Sequence, residues 1–265
     1  MNVLFIGDVV GKQGRDITKY FIEKLSEDYD LDFVIANLEN ATHGKGLNKS
    51  HFLEMLESGV DAVTLGNHYL AKKEILDYID DYDEVIRPLN VHKSSKGRGS
   101  NVFSCLDKTI RVTNLLGRAF MGENNENPFD HLENIVIGDN SDIHIVDFHA
   151  EATGEKQALA WAFDGKVTAV LGTHTHVQTN DLRLLSKGTC FISDVGMCGP
   201  YDGILGTCKE DVINRTWKGE HSVFRVQECD NYVFSAVLLI IDDITNKVID
   251  FKNIYEVIDW SKING

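Results

Sequence analysis

The stretch Ala169-Val-Leu-Gly-Thr-His-Thr-His176 decides how the chain is read. The apolar run Val167 to Leu171 has the length and composition of a buried strand, and Gly172 is expected to end it in a turn. Two imidazoles follow, at positions 174 and 176. In extended or gently turning backbone, residues two apart point the same way. His174 and His176 are therefore expected to reach one metal cluster, imidazole being a favoured ligand of Zn, Fe, Mn and Ni. The competing reading is two polar residues on an exposed loop. The other strand ends decide between the two.

Upstream, Ile143 to Phe148 reads as a strand ending in His149-Ala-Glu151, and Glu155 to Phe163 as a helix. Downstream, Cys190 to Ser193 is a strand running into Asp194-Val-Gly-Met-Cys-Gly-Pro200. At the N-terminus, Asn2 to Ile6 ends in Gly7-Asp8. A turn is expected at Gly11 to Gly14, before Ile17, Tyr20, Phe21 and Leu25 recur at helical spacing. Phe33 to Ala36 closes in Asn37-Leu-Glu39-Asn40, followed by the glycine-rich His43-Gly-Lys-Gly46. A helix at Ser50 to Glu57 precedes the strand Ala62 to Leu65, which ends in Gly66-Asn67-His68. Lys72 to Ile79 is expected to be helical.

Beyond Arg98 the pattern changes. Val102 to Leu106 and Thr109 to Leu116 read as a hairpin through Asp107-Lys108, and Glu123 to Asn127 as a polar loop. Val223 to Val226, Tyr232 to Ile241 and Val248 to Ile258 look like closing strands. Strands alternating with helices in the first half argue for a parallel sheet, and the β-rich second half for a second, mixed sheet. With no linker, repeat or low-complexity run, residues 1–265 are expected to form one domain.

Composition narrows the function. With 265 residues, 43% of them hydrophobic, the chain can bury a substantial α/β core. No apolar run approaches the roughly 20 residues a membrane span needs, and the N-terminus lacks the features of a secretory leader. The five cysteines are scattered without a Cys-x-x-Cys pair, so reduced thiols in the cytoplasm are expected. A net charge of −15 argues against stable binding of duplex nucleic acid, which leaves a basic footprint. The densest basic stretch, Lys93 to Arg98, reads as a solvated loop. An anionic substrate would have to be drawn in locally, and bound cations are the obvious means.

Collected, the strand-end residues are Asp8, Glu39, Asn40, Asn67, His149, His174 and His176. These carboxylates, amides and imidazoles meet the needs of two transition-metal ions sharing a bridging carboxylate. They also sit where α/β folds place their sites, at the carboxyl ends of strands. Metallo-β-lactamase-type sites need Asp-His soon after the His-x-His pair, where this chain has Val177-Gln178-Thr179. Amidohydrolase barrels carry the pair on their first strand, whereas here it lies two-thirds along the chain.

The chain resembles the calcineurin-like metallophosphoesterases, and specifically their YmdB-like branch, over essentially its whole length. The resemblance rests on Gly7-Asp8-Val-Val-Gly11, Asn37-Leu-Glu-Asn40, Gly66-Asn67-His68, Asp147-Phe-His-Ala-Glu-Ala-Thr153, Gly172-Thr-His-Thr-His-Val-Gln-Thr179 and the glycine-rich block Asp194 to Gly206. The superfamily carries Asp-x-His in its first motif. Here Val10 takes the third position, which makes Asn40 the substitute ligand, and Glu39 replaces the bridging aspartate. The segments Thr42-His43 and Tyr69-Leu70-Ala71 depart from the family pattern and bear on substrate fit, since none of them is a ligand.

The resemblance implies a four-layer αββα sandwich, two packed mixed sheets flanked by helices. It implies Asp8, Glu39, Asn40 and His176 around one metal and Glu39, Asn67, His149 and His174 around the other, Fe and Mn being the expected ions. It implies hydrolysis of 2′,3′-cyclic nucleotides or related phosphodiesters by a metal-bridging hydroxide, with His68 as the general acid. A small phosphodiester or nucleotide is the expected partner, and a homo-oligomer is an expectation from the resemblance alone. The alternatives are a phosphomonoesterase on the same metals and a regulatory protein that binds metal or nucleotide without turnover. His43 is a candidate phosphate contact. His51, His92, His131, His144 and His221 read as surface or packing residues, and Tyr201-Asp202-Gly203 as pocket wall.

Overall fold

The computed structural model describes residues 1–91, 95–121, 125–221 and 223–263. In chain order the strands and helices are β1 (Asn2–Ile6), β2 (Asp8–Val9), α1 (Gly11–Tyr29), β3 (Phe33–Asn37), α2 (Lys49–Glu57), β4 (Ala62–Thr64), α3 (Ile75–Tyr78) and β5 (Val85–Ile86). The middle of the chain supplies β6 (Ser100–Cys105), β7 (Lys108–Leu116), α4 (Pro128–Ile137), β8 (Ile143–His149), α5 (Thr153–Ala162), β9 (Ala169–Thr173), β10 (Arg183–Leu184) and β11 (Cys190–Ile192). The last part supplies β12 (Met197–Pro200), α6 (Lys209–Lys218), β13 (Asn231–Ile241) and β14 (Val248–Asp259).

Two mixed sheets pack face to face. One runs β2-β12-β13-β1-β3-β4-β5, with β14 on the free side of β13, and the other runs β10-β11-β9-β8-β7-β6. Both faces of the central strands are covered, which is why they read as unbroken apolar runs. Alternation assigns each residue to a layer. Val3 and Phe5 of β1 and Ile35 of β3 meet Ile110, Ile145 and Leu171 of the second sheet, forming the core between the sheets. Leu4 and Ile6 face the other way, into a cluster with Ile17 and Phe21 of α1 and Phe52 and Met55 of α2. Val146 and Phe148 of β8 turn outward to Leu132 of α4 and Leu159 of α5. The order is helix, sheet, sheet, helix, the expected four layers.

The division of strands between the sheets differs from the expectation. The closing strands do not build the second sheet. β13 pairs antiparallel with β1, from Asn2 opposite Ile240 to Ile6 opposite Ala236, so the two ends of the chain complete one sheet. Its parallel parts are β1, β3, β4 and β5 on one side and the short pair β2 and β12 at the other edge. The second sheet is built from residues 100–192.

Several element boundaries also move. α1 starts at Gly11, not after a turn, because its first residues are anchored by the Gly14 N–H on the Val10 carbonyl while Val10 N–H binds the Cys198 carbonyl. Only half of Lys72 to Ile79, the four residues of α3, is α-helix. Tyr69, Ala71 and Ile75 each bond the carbonyl three residues back, leaving only α3 as a full turn. Val223 to Val226 makes a single bridge, Thr207 to Val226. The neighbouring α6 has no counterpart in the sequence reading, and among its residues only Asp211 is buried. The hairpin turns at Leu106-Asp107, with Cys105 opposite Lys108. Lys93 and His92, and Glu123 of the expected polar loop, lie outside the described residues.

Candidate metal centre

The seven strand-end residues converge where the C-terminal ends of β1, β3, β4, β8 and β9 face one another. Asp8, Glu39, Asn40 and His149 are buried, and Asn67, His68, His174 and His176 are partly exposed at the floor of a cleft. Close approach is possible because position 66 has no side chain. A Cβ on Gly66 would collide with Glu39 Oε2 and with the His149 ring.

The side chains form two groups with Glu39 between them. In one, His149 Nε2 lies 3.1 Å from Glu39 Oε1, 3.0 Å from Asn67 Oδ1 and 3.1 Å from His174 Nδ1. The donor atoms of Glu39, His149 and His174 all fall within 4.8 Å of one another. In the other, Asn40 Nδ2 lies 3.2 Å from Glu39 Oε1 and 3.1 Å from His176 Nε2, and His176 Nε2 is 3.9 Å from Asp8 Oδ1. The amide of Asn40 thus presents its nitrogen to Glu39 and His176. A half-rotation of the amide exchanges nitrogen for oxygen.

This arrangement fits a cation. The single hydroxyl proton of Thr173 goes to Asp147 Oδ1 at 2.6 Å, so Thr173 Oγ1 accepts from His149 Nδ1–H at 2.9 Å. That fixes the ring and leaves Nε2 facing Glu39 and Asn67, whose oxygens are also acceptors. Acceptors crowded together without donors need a positive charge among them. Asp8 Oδ1 adds to this, being buried with no hydrogen-bond partner among the described residues. The ionisations point the same way. Burial pushes the Asp8 carboxyl up to about 6, against the pull of His176 and His149. Burial works against a charged His149, yet Glu39 and Asp8 push it up to about 9. His174 is pulled down to about 3 by burial and by the neighbouring His149. The carboxylates therefore draw a proton into the place a cation would take.

His174 and His176 do not lie on one face of an extended segment, as the sequence reading expected. Both have left-handed backbone, φ 105° and 65°, so the chain turns between them and sends one ring to each group. The rings are oriented from outside, His174 Nε2 against Glu151 Oε2 at 3.2 Å and His176 Nδ1 on the Leu205 carbonyl at 3.0 Å. The backbone is held as well. Asp8 Oδ2 accepts from His174 N–H at 3.1 Å, and Asp194 Oδ2 accepts from Thr175 N–H at 2.9 Å. Lys156 Nζ, almost fully buried on α5, donates to the Thr173 carbonyl and to Asp194 Oδ2, both at 2.8 Å. Gly172 does not end the strand. It lies inside β9, where a Cβ would strike the Ser193 carbonyl.

His68 adjoins Asn67. Its Nδ1 accepts from the Asn67 amide at 3.3 Å, its backbone N–H donates to Glu39 Oε2 at 2.9 Å, and its ring lines the cleft. Burial pulls its imidazole below the ordinary range, with Glu39 opposing. The cleft, about 560 Å³, is also lined by His43, Lys45, Leu205, Thr207, Arg215 and Phe224. Tyr201, Asp202 and Gly203 are not part of that lining, and Leu205 to Thr207 take the place expected of them. Cys198 is buried, its thiol pushed up to about 12. Of the other histidines, His51 Nδ1 contacts Thr42 Oγ1, His131 pairs with Glu126 and His144 with Asp139. The supporting residues Asp147, Thr173, Lys156, Asp194 and Glu151 were not assigned roles from sequence. Asp194 follows a strand end, the same signal that singled out the candidate ligands, whereas Asp147 lies inside β8 and a helical lysine carries no such signal.

The sequence profile described as YmdB-like protein matches residues 4–254. A protein of Bacillus subtilis (strain 168) named 2′,3′-cyclic-nucleotide 2′-phosphodiesterase is 44% identical over 96% of this chain and 96% of its own. Among solved structures, a phosphatase from Mycoplasma pneumoniae superposes with a TM-score of 0.93 at 41% identity, covering 98% of this chain and 94% of that one. A protein from Thermus thermophilus superposes with a TM-score of 0.91 at 36% identity, covering 97% and 99%. The chain belongs to the YmdB-like protein family.

Proposed function

We propose that this chain, a hydrolytic phosphoesterase, is a metal-dependent phosphodiesterase that opens 2′,3′-cyclic nucleotides or related phosphodiesters at a dinuclear site. The observation that carries the reading is the Glu39 carboxylate, whose Oε1 lies 3.1 Å from His149 Nε2 and 3.2 Å from Asn40 Nδ2, between two groups of ligand-type side chains. Asp8, Glu39, Asn40 and His176 would hold one ion, and Glu39, Asn67, His149 and His174 the other. The mixed nitrogen and oxygen donors suit iron and manganese. When bound, such ions supply Lewis-acid charge for the phosphoryl oxygens and an activated water.

The remaining work falls to the chain. The Asp147–Thr173 relay holds the His149 ring, and Glu151 and the Leu205 carbonyl hold His174 and His176. His68, its Nδ1 3.3 Å from the Asn67 amide, would act as the imidazolium: its Nε2 proton goes to the ribose oxygen as the bond to phosphorus breaks, leaving a neutral imidazole. In the Bacillus subtilis relative's name the bond cleaved is the one to the 2′ oxygen, and we assign the same bond here. The five free thiols, Cys190 and Cys198 buried among them, support a reducing compartment, the cytoplasm.

The competing activity is phosphomonoester hydrolysis, favoured by the phosphatase description of the Mycoplasma pneumoniae structure. Rates on 2′,3′-cyclic AMP, bis-p-nitrophenyl phosphate and p-nitrophenyl phosphate separate the two. Faster turnover of both diesters is expected. A faster monoester would favour the phosphatase, and no turnover with any metal would favour a regulatory protein.

A further inference from the structure

The candidate metal centre occupies only the floor of the cleft. One wall is the excursion between β12 and β13, and it is built rather than loose. The Cys208 N–H binds the Arg225 carbonyl at 2.8 Å and the Gln227 N–H binds the Gly206 carbonyl at 2.9 Å. Arg225 clasps Asp211 through two bonds of 2.9 and 2.8 Å. Val226 packs with Val10, Met197 and Val233, which ties the wall to the floor.

Two residues on this wall face the cleft. Phe224 lines the cleft with 49% of its surface exposed, an arrangement that costs hydrophobic free energy unless something covers it. The Arg215 guanidinium lies over its ring, 4.8 Å from the centroid. Unlike Arg225, Arg215 makes no ion pair among the described residues. An aromatic face and a guanidinium plane are the two protein surfaces on which nucleobases stack, whatever the base. Resting on the phosphodiesterase reading above, we infer that Phe224 with Arg215 is the nucleobase platform of the cleft. The substrate class is then a nucleotide, its phosphate on the floor and its base on this wall, and not phosphodiesters at large.

The test compares 2′,3′-cyclic AMP with glycerol 1,2-cyclic phosphate, which keeps the five-membered cyclic diester and lacks the base. In Phe224→Ala the ratio of kcat/KM for the nucleotide to that for the glycerol ester should fall ~10-fold, within the range of a lost base–aromatic stack. Phe224→Trp should restore it. Calorimetry provides a second readout without turnover, in which the ratio of 3′-AMP to inorganic phosphate affinity should fall by a similar factor. A ratio unchanged in both assays would overturn the platform, as would equal losses on both substrates. Wild-type protein that hydrolyses neither diester but shows the calorimetric effect would overturn the phosphodiesterase reading and leave the platform standing.

Discussion

Lys156 offers the sharpest test of how the His174–His176 turn is held. Its ammonium and the Asp194 carboxylate are each 1% exposed and 2.8 Å apart. Methionine at 156 keeps the length of the stem and removes the charge. The Thr173 carbonyl then keeps only the longer bond from Ala150 N–H, at 3.4 Å, and Asp194 is left as a buried carboxylate without its cation. Breaking a buried pair from one side costs about 3–5 kcal/mol. Asp194 keeps two backbone donors, Thr175 N–H and Gly196 N–H, at 2.9 Å each, which places Lys156→Met at the low end, ~3 kcal/mol. Domains of this kind have ~5–15 kcal/mol in hand, so the variant should still fold. With a urea slope of ~3 kcal/mol/M, the unfolding midpoint should fall by about 1 M. Adding Asp194→Asn should cost much less than in the wild-type background, because the orphaned charge is already the problem. A midpoint shift of Lys156→Met under about 0.3 M, or strict additivity of the two substitutions, would refute the idea of a buried clamp.

His68→Ala should slow 2′,3′-cyclic AMP hydrolysis by about 10²- to 10⁴-fold, the usual contribution of a placed general acid. It should affect bis-p-nitrophenyl phosphate far less, since nitrophenolate leaves without a proton. Equal losses would point to a role in orienting Asn67. Thr173→Val removes the acceptor for His149 Nδ1–H and should weaken metal affinity about 10- to 100-fold, read by competition with a chelator; unchanged affinity would remove the relay from the site. Partial burial would raise the Asp139 carboxyl, but His144, Ser141 and Arg111 hold it below its ordinary range. A carboxyl lowered on folding stabilises fully above its unfolded pKa of about 3.9 and ceases to as pH falls through the folded value. The stability gap between wild type and Asp139→Asn should not close between about pH 7 and 5, where loss of the carboxylate lets burial lower the neighbouring His144 further, and should shrink only in stronger acid. A gap already closing between about pH 7 and 5 would contradict the assignment.

The residues of the site were legible because chemistry-bearing side chains stood at the ends of apolar runs. Asp8 after β1, Glu39 and Asn40 after β3, Asn67 after β4, His149 closing β8, and His174 and His176 after β9 meet in space. The way the histidine pair works was not legible. Alternation holds for extended backbone, and the left-handed φ at positions 174 and 176 depends on Asp8, Asp194 and Lys156, which are distant in sequence. Sheet membership was hidden for a similar reason. β13 and β1 share no local signal, since their pairing joins residue 2 to residue 240. Lys156 on α5 reads as a solvated charge until its ion pair is seen, and α6 places no apolar side chain in the core. The four layers followed from the family resemblance; the strand pattern by itself indicated only a parallel sheet and a second, mixed one.

Metal content decides whether Glu39 bridges two metal ions. Protein purified without chelator or affinity metal should hold close to two transition-metal ions per chain by elemental analysis. His149→Ala should lose mainly one of them. Glu39→Gln should lose both, because its carboxylate lies between the His149 and Asn40 groups. Full metal content in the Glu39→Gln protein would contradict the bridge and with it the dinuclear site.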